Sequence, residues 1–403
     1  MHTGTGCGMA GGWLNAHGNA HGDRLQNGMQ NLKKTSMQNL KLQEIIQAME
    51  TWAPLFWQEE YDNSGLSLGD PNQIISKALL CLDITPSIVD EAIESDAQLI
   101  ISHHPAIFHG LKKIDPSTAF GEMLQKSLRH GIAWYSAHTN LDNTLSGVNS
   151  YIADSLNLKN RRPLQALTGL YGKLQVYVPV PHSEKLIQAL TKAGCGQYKN
   201  YDSCLWQTLG QGQFRALENA HPFVGNIQER HIESEVKLEM LYPLHLQTNI
   251  IKTLLENHPY EEVAYDLIPL LNQSTEQGAG LLGELPSSYS EEKLLKTIKE
   301  ITKIPFIRHS GLKQREIHRI ALCGGSGGSL IEKARSVQAD VFITGEIKYH
   351  DFVNAPTTTW LMDIGHFESE QFTKELIYRY ITKKFPNFAI RISEKVNNPV
   401  SYY

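Results

Sequence analysis

Short apolar runs alternate with amphipathic stretches along most of the chain. "KLQEIIQAMETWAP" repeats its apolar positions at helical spacing and stops at Pro54. "KALLCLDI" (77–84), "AQLIIS" (97–102) and "IAWYSAH" (132–138) are brief apolar runs of the kind that form buried strands. Between them, "TPSIVDEAIESD" predicts a helix with Thr85 as N-cap and Pro86 in the first turn. "STAFGEMLQKSLRHG" predicts another, closed by Gly131. Strands that alternate with helices point to a parallel sheet.

The alternation returns near the C-terminus. "HRIALCGG", "DVFITGE", "TTWLMDIG" and "FAIRISE" read as strands. "SLIEKARSVQA" and the long "HFESEQFTKELIYRYITKKF" read as helices. The middle differs. "YGKLQVYVPVPHSEKLIQALTKAG" reads as strand then helix, and "ESEVKLEMLYPLHLQTNIIKTLLENHP" followed by "EEVAYDLIPL" reads as strand, helix, strand. Such a pair suggests a split βαβ, ferredoxin-like α+β domain. The expected fold class is therefore α/β, with two α/β halves and an inserted α+β domain. The expected boundaries are a disordered leader over 1–38, a first half over 39–167, the insert over 168–272 and a second half over 273–403. The leader is rich in Gly, Asn and His without apolar periodicity.

Composition narrows the function classes. The 403 residues are 41% hydrophobic and 20% charged, the proportions of a globular protein. A net charge of −5 disfavours a broad nucleic-acid surface. No apolar run is long enough for a membrane helix. Five scattered cysteines form no CxxC pair, so a reducing, cytoplasmic setting is expected, without a thiolate zinc site.

Three predicted strands end in ligand-type side chains. His103 and His104 follow "AQLIIS". His138 ends "IAWYSAH", with Asp142 four residues on. His366 opens a helix after "TTWLMDIG", with Glu370 one turn later and Glu368 directed elsewhere. Strand ends on one sheet edge can bring distant residues together. Neighbours on an extended chain point apart, so the two adjacent histidines suit two ions better than one. Imidazole with carboxylate suits zinc, iron or manganese. His350, in "EIKYHD", is a candidate acid or base alongside His138. "LCGGSGGS" joins strand to helix but lacks the Walker ending, so it reads either as a tight turn or as a phosphate contact. Asp62 and Asn63 sit in the turn-rich "YDNSGLSLGD". His258, Glu261 and Glu262 read as structural or surface groups of the insert.

The stretches "YDNSGLSLGDP", "ISHHPAIF", "AHTNLDNTLSGVN", "CGGSGGSLIEKA", "DVFITGEIKYHD" and "DIGHFESE" together resemble the Nif-three-like family, also called GTP cyclohydrolase I type 2 homologues. The resemblance runs from about residue 40 to the end. It implies metal ligands at His103, His104, Asp142, His366 and Glu370, with His138 and His350 close by. It further implies a PII- or CutA-like insert and a homohexamer. "GAGLLGEL" departs from the family's Gly-Arg-Ile-Gly-like stretch, with Leu281 or Leu282 in the arginine's place. The function expected is a metal-dependent hydrolase of a small molecule, with a nucleotide such as GTP as substrate. The competing readings are a metal-dependent sensor without turnover and a metal storage or delivery protein.

Overall fold

In the computed structural model, which describes residues 38–395 and 398–401, the apolar runs become strands of three main sheets. Most of the leader, 1–37, lies outside the described residues. The first sheet has the order Ala389–Ile392, Lys77–Cys81, Leu99–Ser102, Ala133–Ser136, Gly65–Leu68. Its first four strands are parallel and the last is antiparallel. Leu99–Ser102 is buried along its whole length because helices pack on both faces of the sheet. Leu42–Trp52 and Thr373–Lys384 cover one face, and Pro86–Glu94 and Ala119–Arg129 the other.

The second sheet has the order Arg308–His309, Trp360–Asp363, Val341–Thr344, Glu316–Cys323, Gly278–Ser290, Lys159–Ala166. Its three central strands, from Trp360–Asp363 to Glu316–Cys323, are parallel. The two sheets are completed by strands distant in sequence. Lys159–Ala166 pairs with Gly278–Ser290 across more than a hundred intervening residues, while the C-terminal Ala389–Ile392 pairs with Lys77–Cys81. The sheets are therefore tied together through the chain. Leu281 and Leu282 are core residues of Gly278–Ser290.

The third sheet comes wholly from residues 171–269. Its order is Tyr265–Pro269, Tyr171–Pro179, Arg230–Pro243, Leu205–Arg215, antiparallel throughout. In chain order this is 4-1-3-2, the split βαβ arrangement. Ser183–Lys192 and Gln247–Asn257 cover one face over Leu174, Val176 and Leu238.

Thr85 occupies the N-cap position with Pro86 in the first turn, as read, and its hydroxyl meets that of Ser87 at 3.0 Å. One local expectation differs from the structure. The long helix after Asp363 is two, His366–Glu370 and Thr373–Lys384, separated at Gln371 and Phe372. Among the described residues, no helix is long and apolar enough to cross a membrane.

Candidate metal centre

The first sheet delivers both histidines of the doublet. Leu99–Ser102 ends, and the backbone amides of His103 and His104 bond to the carbonyls of Cys81 and Leu82. The two rings then take different partners. His103 is fully buried, and its Nδ1–H donates to the carbonyl of Ala137 at 2.7 Å. Its Nε2 lies 3.7 Å from Asp142 Oδ1 and 3.6 Å from Glu370 Oε1. The Nδ1–H of His104 donates to Asp83 Oδ1 at 2.8 Å, and its Nε2 meets Glu370 Oε2 at 3.0 Å.

The second sheet supplies the opposite wall. Trp360–Asp363 leads through Gly365, at φ +85°, into the helix that carries His366 and Glu370. His366 Nε2 meets Glu370 Oε2 at 3.1 Å, the i, i+4 pairing that the spacing implies. The ligand-type residues thus converge between two sheets, whereas the sequence suggested a single sheet edge. Glu370 is buried, and its two oxygens face different sets: Oε1 faces His103, and Oε2 faces His104 and His366.

Among the described residues, three groups of potential ligand atoms lie within 4.8 Å of one another: His103, His104 and His138; His104, His366 and Glu370; and His103, Asp142 and Glu370. The donor set fits a divalent ion. His103 Nε2 and Asp142 Oδ1 are buried with no hydrogen-bond partner, although they face each other. Leaving such atoms unpaired is costly, and a cation between them would satisfy both. The outer partners Asp83 and Ala137 fix each ring so that Nε2 points inward, as second-layer groups do around metals.

Charge follows this packing. Burial opposes the charged form of His104, but the Asp83 and Glu370 carboxylates outweigh it and raise the ring to about 10. Burial pushes the Asp142 carboxyl up to about 7 despite the attraction of His103. Burial opposes ionisation of Glu370 too, yet its three histidine neighbours hold it well below the usual carboxylate range.

His138 is oriented by a group that the sequence marked only as part of a turn. Its Nδ1–H donates to Asp62 Oδ1 at 2.7 Å. Asp62 Oδ2 accepts from the Thr139 amide at 3.1 Å, the Thr139 hydroxyl at 2.5 Å and the Ser64 hydroxyl at 2.8 Å. The His138 ring stands edge-on to His103 and His104, with centroids 5.3 and 5.4 Å apart. His350 does not join any of the three groups and is exposed on Tyr349–Val353.

The glycine loop acts as a close turn. The amides of Gly324, Gly325 and Gly327 donate to Asn149, Ser369 and Thr344, so they already have protein acceptors. Gly325 has φ +60°, and a side chain there would run into the Glu370 carboxylate. Beside the centre, His104 and His366 open onto a cavity of about 580 Å³ lined also by Phe306, Phe367 and Arg308.

Comparisons with known proteins agree with this architecture. A curated relative from Halalkalibacterium halodurans, "GTP cyclohydrolase 1 type 2 homolog", is 38% identical over 76% of this chain and 83% of its own. A Bacillus subtilis protein of the same description is 35% identical over 89% of this chain and 98% of its own. The crystal structure of a Bacillus cereus protein related to NIF3 superposes with a TM-score of 0.74 at 32% identity, covering 91% of this chain and all of that one. Residues 40–399 match the Duf34/NIF3 (NGG1p interacting factor 3) family, and the chain belongs to it.

Proposed function

We propose that the chain is a dinuclear metal-dependent hydrolase. The observation that carries this reading is the buried Glu370 carboxylate, whose two oxygens face separate histidine sets. His103, Asp142 and Glu370 Oε1 would hold one ion, and His104, His366 and Glu370 Oε2 the other. Two divalent ions there, of zinc, iron or manganese, would supply the charge that acidifies a water and polarises a substrate carbonyl or ring.

The chain's own groups do the rest. Asp62 holds the Nδ1 proton of His138, which leaves Nε2 free to accept a proton. His138, at the centre, takes the acid–base role in preference to the exposed His350. The adjoining cavity has room for a heterocycle between Phe306 and Phe367, with Arg308 at its edge. A nucleotide fits that chemistry, and the names of the curated relatives make GTP the first substrate to test.

We also infer that residues 168–272 form an inserted PII/CutA-like domain and that the chain is a homo-oligomer, with a hexamer as the expected state. Leu209 and Ile232 are exposed on one face of the third sheet and Trp206 on the other, apolar surface consistent with self-association. A reducing compartment is consistent with the free cysteines found among the described residues.

The test is metal analysis of leader-free protein combined with formate release from GTP. Near two ions per chain with turnover supports the reading. Full activity in a metal-free Glu370→Ala protein contradicts it, and two ions without turnover favour the sensor.

A further inference from the structure

The strand Leu205–Arg215 gives up side chains where a sheet normally packs them. It carries glycines at 210 and 212, within "TLGQGQF". A Cβ at Gly210 would meet nothing within 4 Å, and one at Gly212 would run into the Glu235 carboxylate. Glycines inside a strand mark a place kept open for something to approach. Here they border a cavity of about 740 Å³, remote in sequence from the metal centre and separate from its lining.

Glu235 is part of that cavity's wall and is 8% exposed. Its Oε1 accepts one hydrogen bond, from the Tyr260 hydroxyl at 2.9 Å. Among the described residues no cationic group pairs with it. Lys237, also at the wall, is drawn to Glu239 at 2.7 Å. A buried carboxylate without a counter-ion is unfavourable.

Tyr177, Phe214, Phe223 and Tyr260 line the same space, and the last three are set against one another. Phe214 and Tyr260 have centroids 6.1 Å apart at 62°, and Phe223 and Tyr260 6.4 Å apart at 50°. Their mutual tilt makes walls of a cage and not a stack. Tyr260 is held in place through its backbone: His258 Nδ1 accepts its N–H at 3.1 Å, while His258 Nε2–H donates to the Tyr177 carbonyl at 2.9 Å. Aromatic faces with a carboxylate are the recognition chemistry of organic cations.

We propose that this hollow binds a small organic cation, a substituted ammonium with an apolar body, with Glu235 taking the charge and Phe214, Phe223 and Tyr260 the body. The glycines provide the depth that lets the charge reach the carboxylate.

Calorimetric titration of the full chain with benzyltrimethylammonium tests this, with benzyl alcohol as an uncharged aromatic control. The wild type should saturate, and Glu235→Gln, which keeps an acceptor for Tyr260, should weaken binding about tenfold. Phe223→Ala should weaken it about threefold; its ring is 51% exposed, so the fold should tolerate the change. The control should bind at least about tenfold more weakly than the cation. No saturation by the wild type, equal affinity for the control, or unchanged affinity in both variants would overturn the proposal. So would binding that vanishes as protein concentration rises, since a second copy would then fill the hollow.

Discussion

The two sides of Glu370 differ in their partners and in how their histidines meet solvent: one sets His103 with Asp142, the other His104 with His366. On one side, the His103 side chain is fully buried and meets Glu370 Oε1 and Asp142, whose side chain is 24% exposed although its Oδ1 is buried. On the other, the His104 and His366 side chains are 21% and 43% exposed and open onto the cavity beside Phe306 and Phe367. One strand end supplies both arrangements, because His103 and His104 leave it in different directions. Under the proposed dinuclear reading the difference teaches a division of labour: a side sealed around His103 that would hold an ion, and an open side that would offer one to a substrate.

The largest effect expected is from the residue both sides share. Glu370→Ala should lose all tightly held metal and all turnover, read by elemental analysis and formate release. Retention of full metal content would collapse the comparison into two independent sites. Next come the single-sided changes. His103→Ala should remove the ion that survives prolonged chelation. His366→Ala should leave about one slowly exchanging ion per chain. Equal loss from both variants would show that the two sides are not distinct.

A smaller effect is expected one layer out. Asp83 holds the Nδ1–H of His104, so Asp83→Asn should weaken metal binding on the open side about 10- to 100-fold. The sealed side should be unchanged in the same titration, since Ala137 supplies its acceptor from the backbone.

The smallest effect is in the proton count. Without metal, His104 keeps its extra proton up to about 10 and Asp142 keeps its own up to about 7. Metal uptake must displace these protons and that of His366, whose ring the Glu370 carboxylate raises, and more of the three are in place at lower pH. Affinity should therefore rise with pH, and more steeply below about 7. Calorimetry in buffers of different ionisation heat should show more protons released at the lower pH.

Much of the candidate centre was legible in the sequence, because its ligand-type residues sit at positions with local rules. A histidine doublet after an apolar run and a His–Glu pair at i, i+4 declare their directions through strand and helix periodicity. Asp83 and Asp62 were not legible as orienting groups, since their partners lie far along the chain. Asp62 reaches Thr139 and His138 across two elements, and its turn-rich surroundings resemble any surface loop. The strands named in the sequence form as read, but Lys159–Ala166, Leu205–Arg215 and Gly278–Ser290 went unnamed, and so did the pairing of strands distant in sequence. "FAIRISE" looks the same whether it pairs with Trp360–Asp363 or, as it does, with Lys77–Cys81. Pairing is decided by tertiary packing, which local pattern does not encode. The tilted rings around Glu235 were hidden for the same reason: Phe214, Phe223, Glu235 and Tyr260 come from different stretches of residues 171–269.

The central claim is that Glu370 bridges two ions. Crystals of the metal-loaded protein, measured at the absorption edge of the bound metal, test it most directly. The account predicts two anomalous peaks about 3.5–4 Å apart, one against His103 and Asp142 and the other against His104 and His366. A single peak shared by His103 and His104, with Glu370 bound through one oxygen, would contradict it.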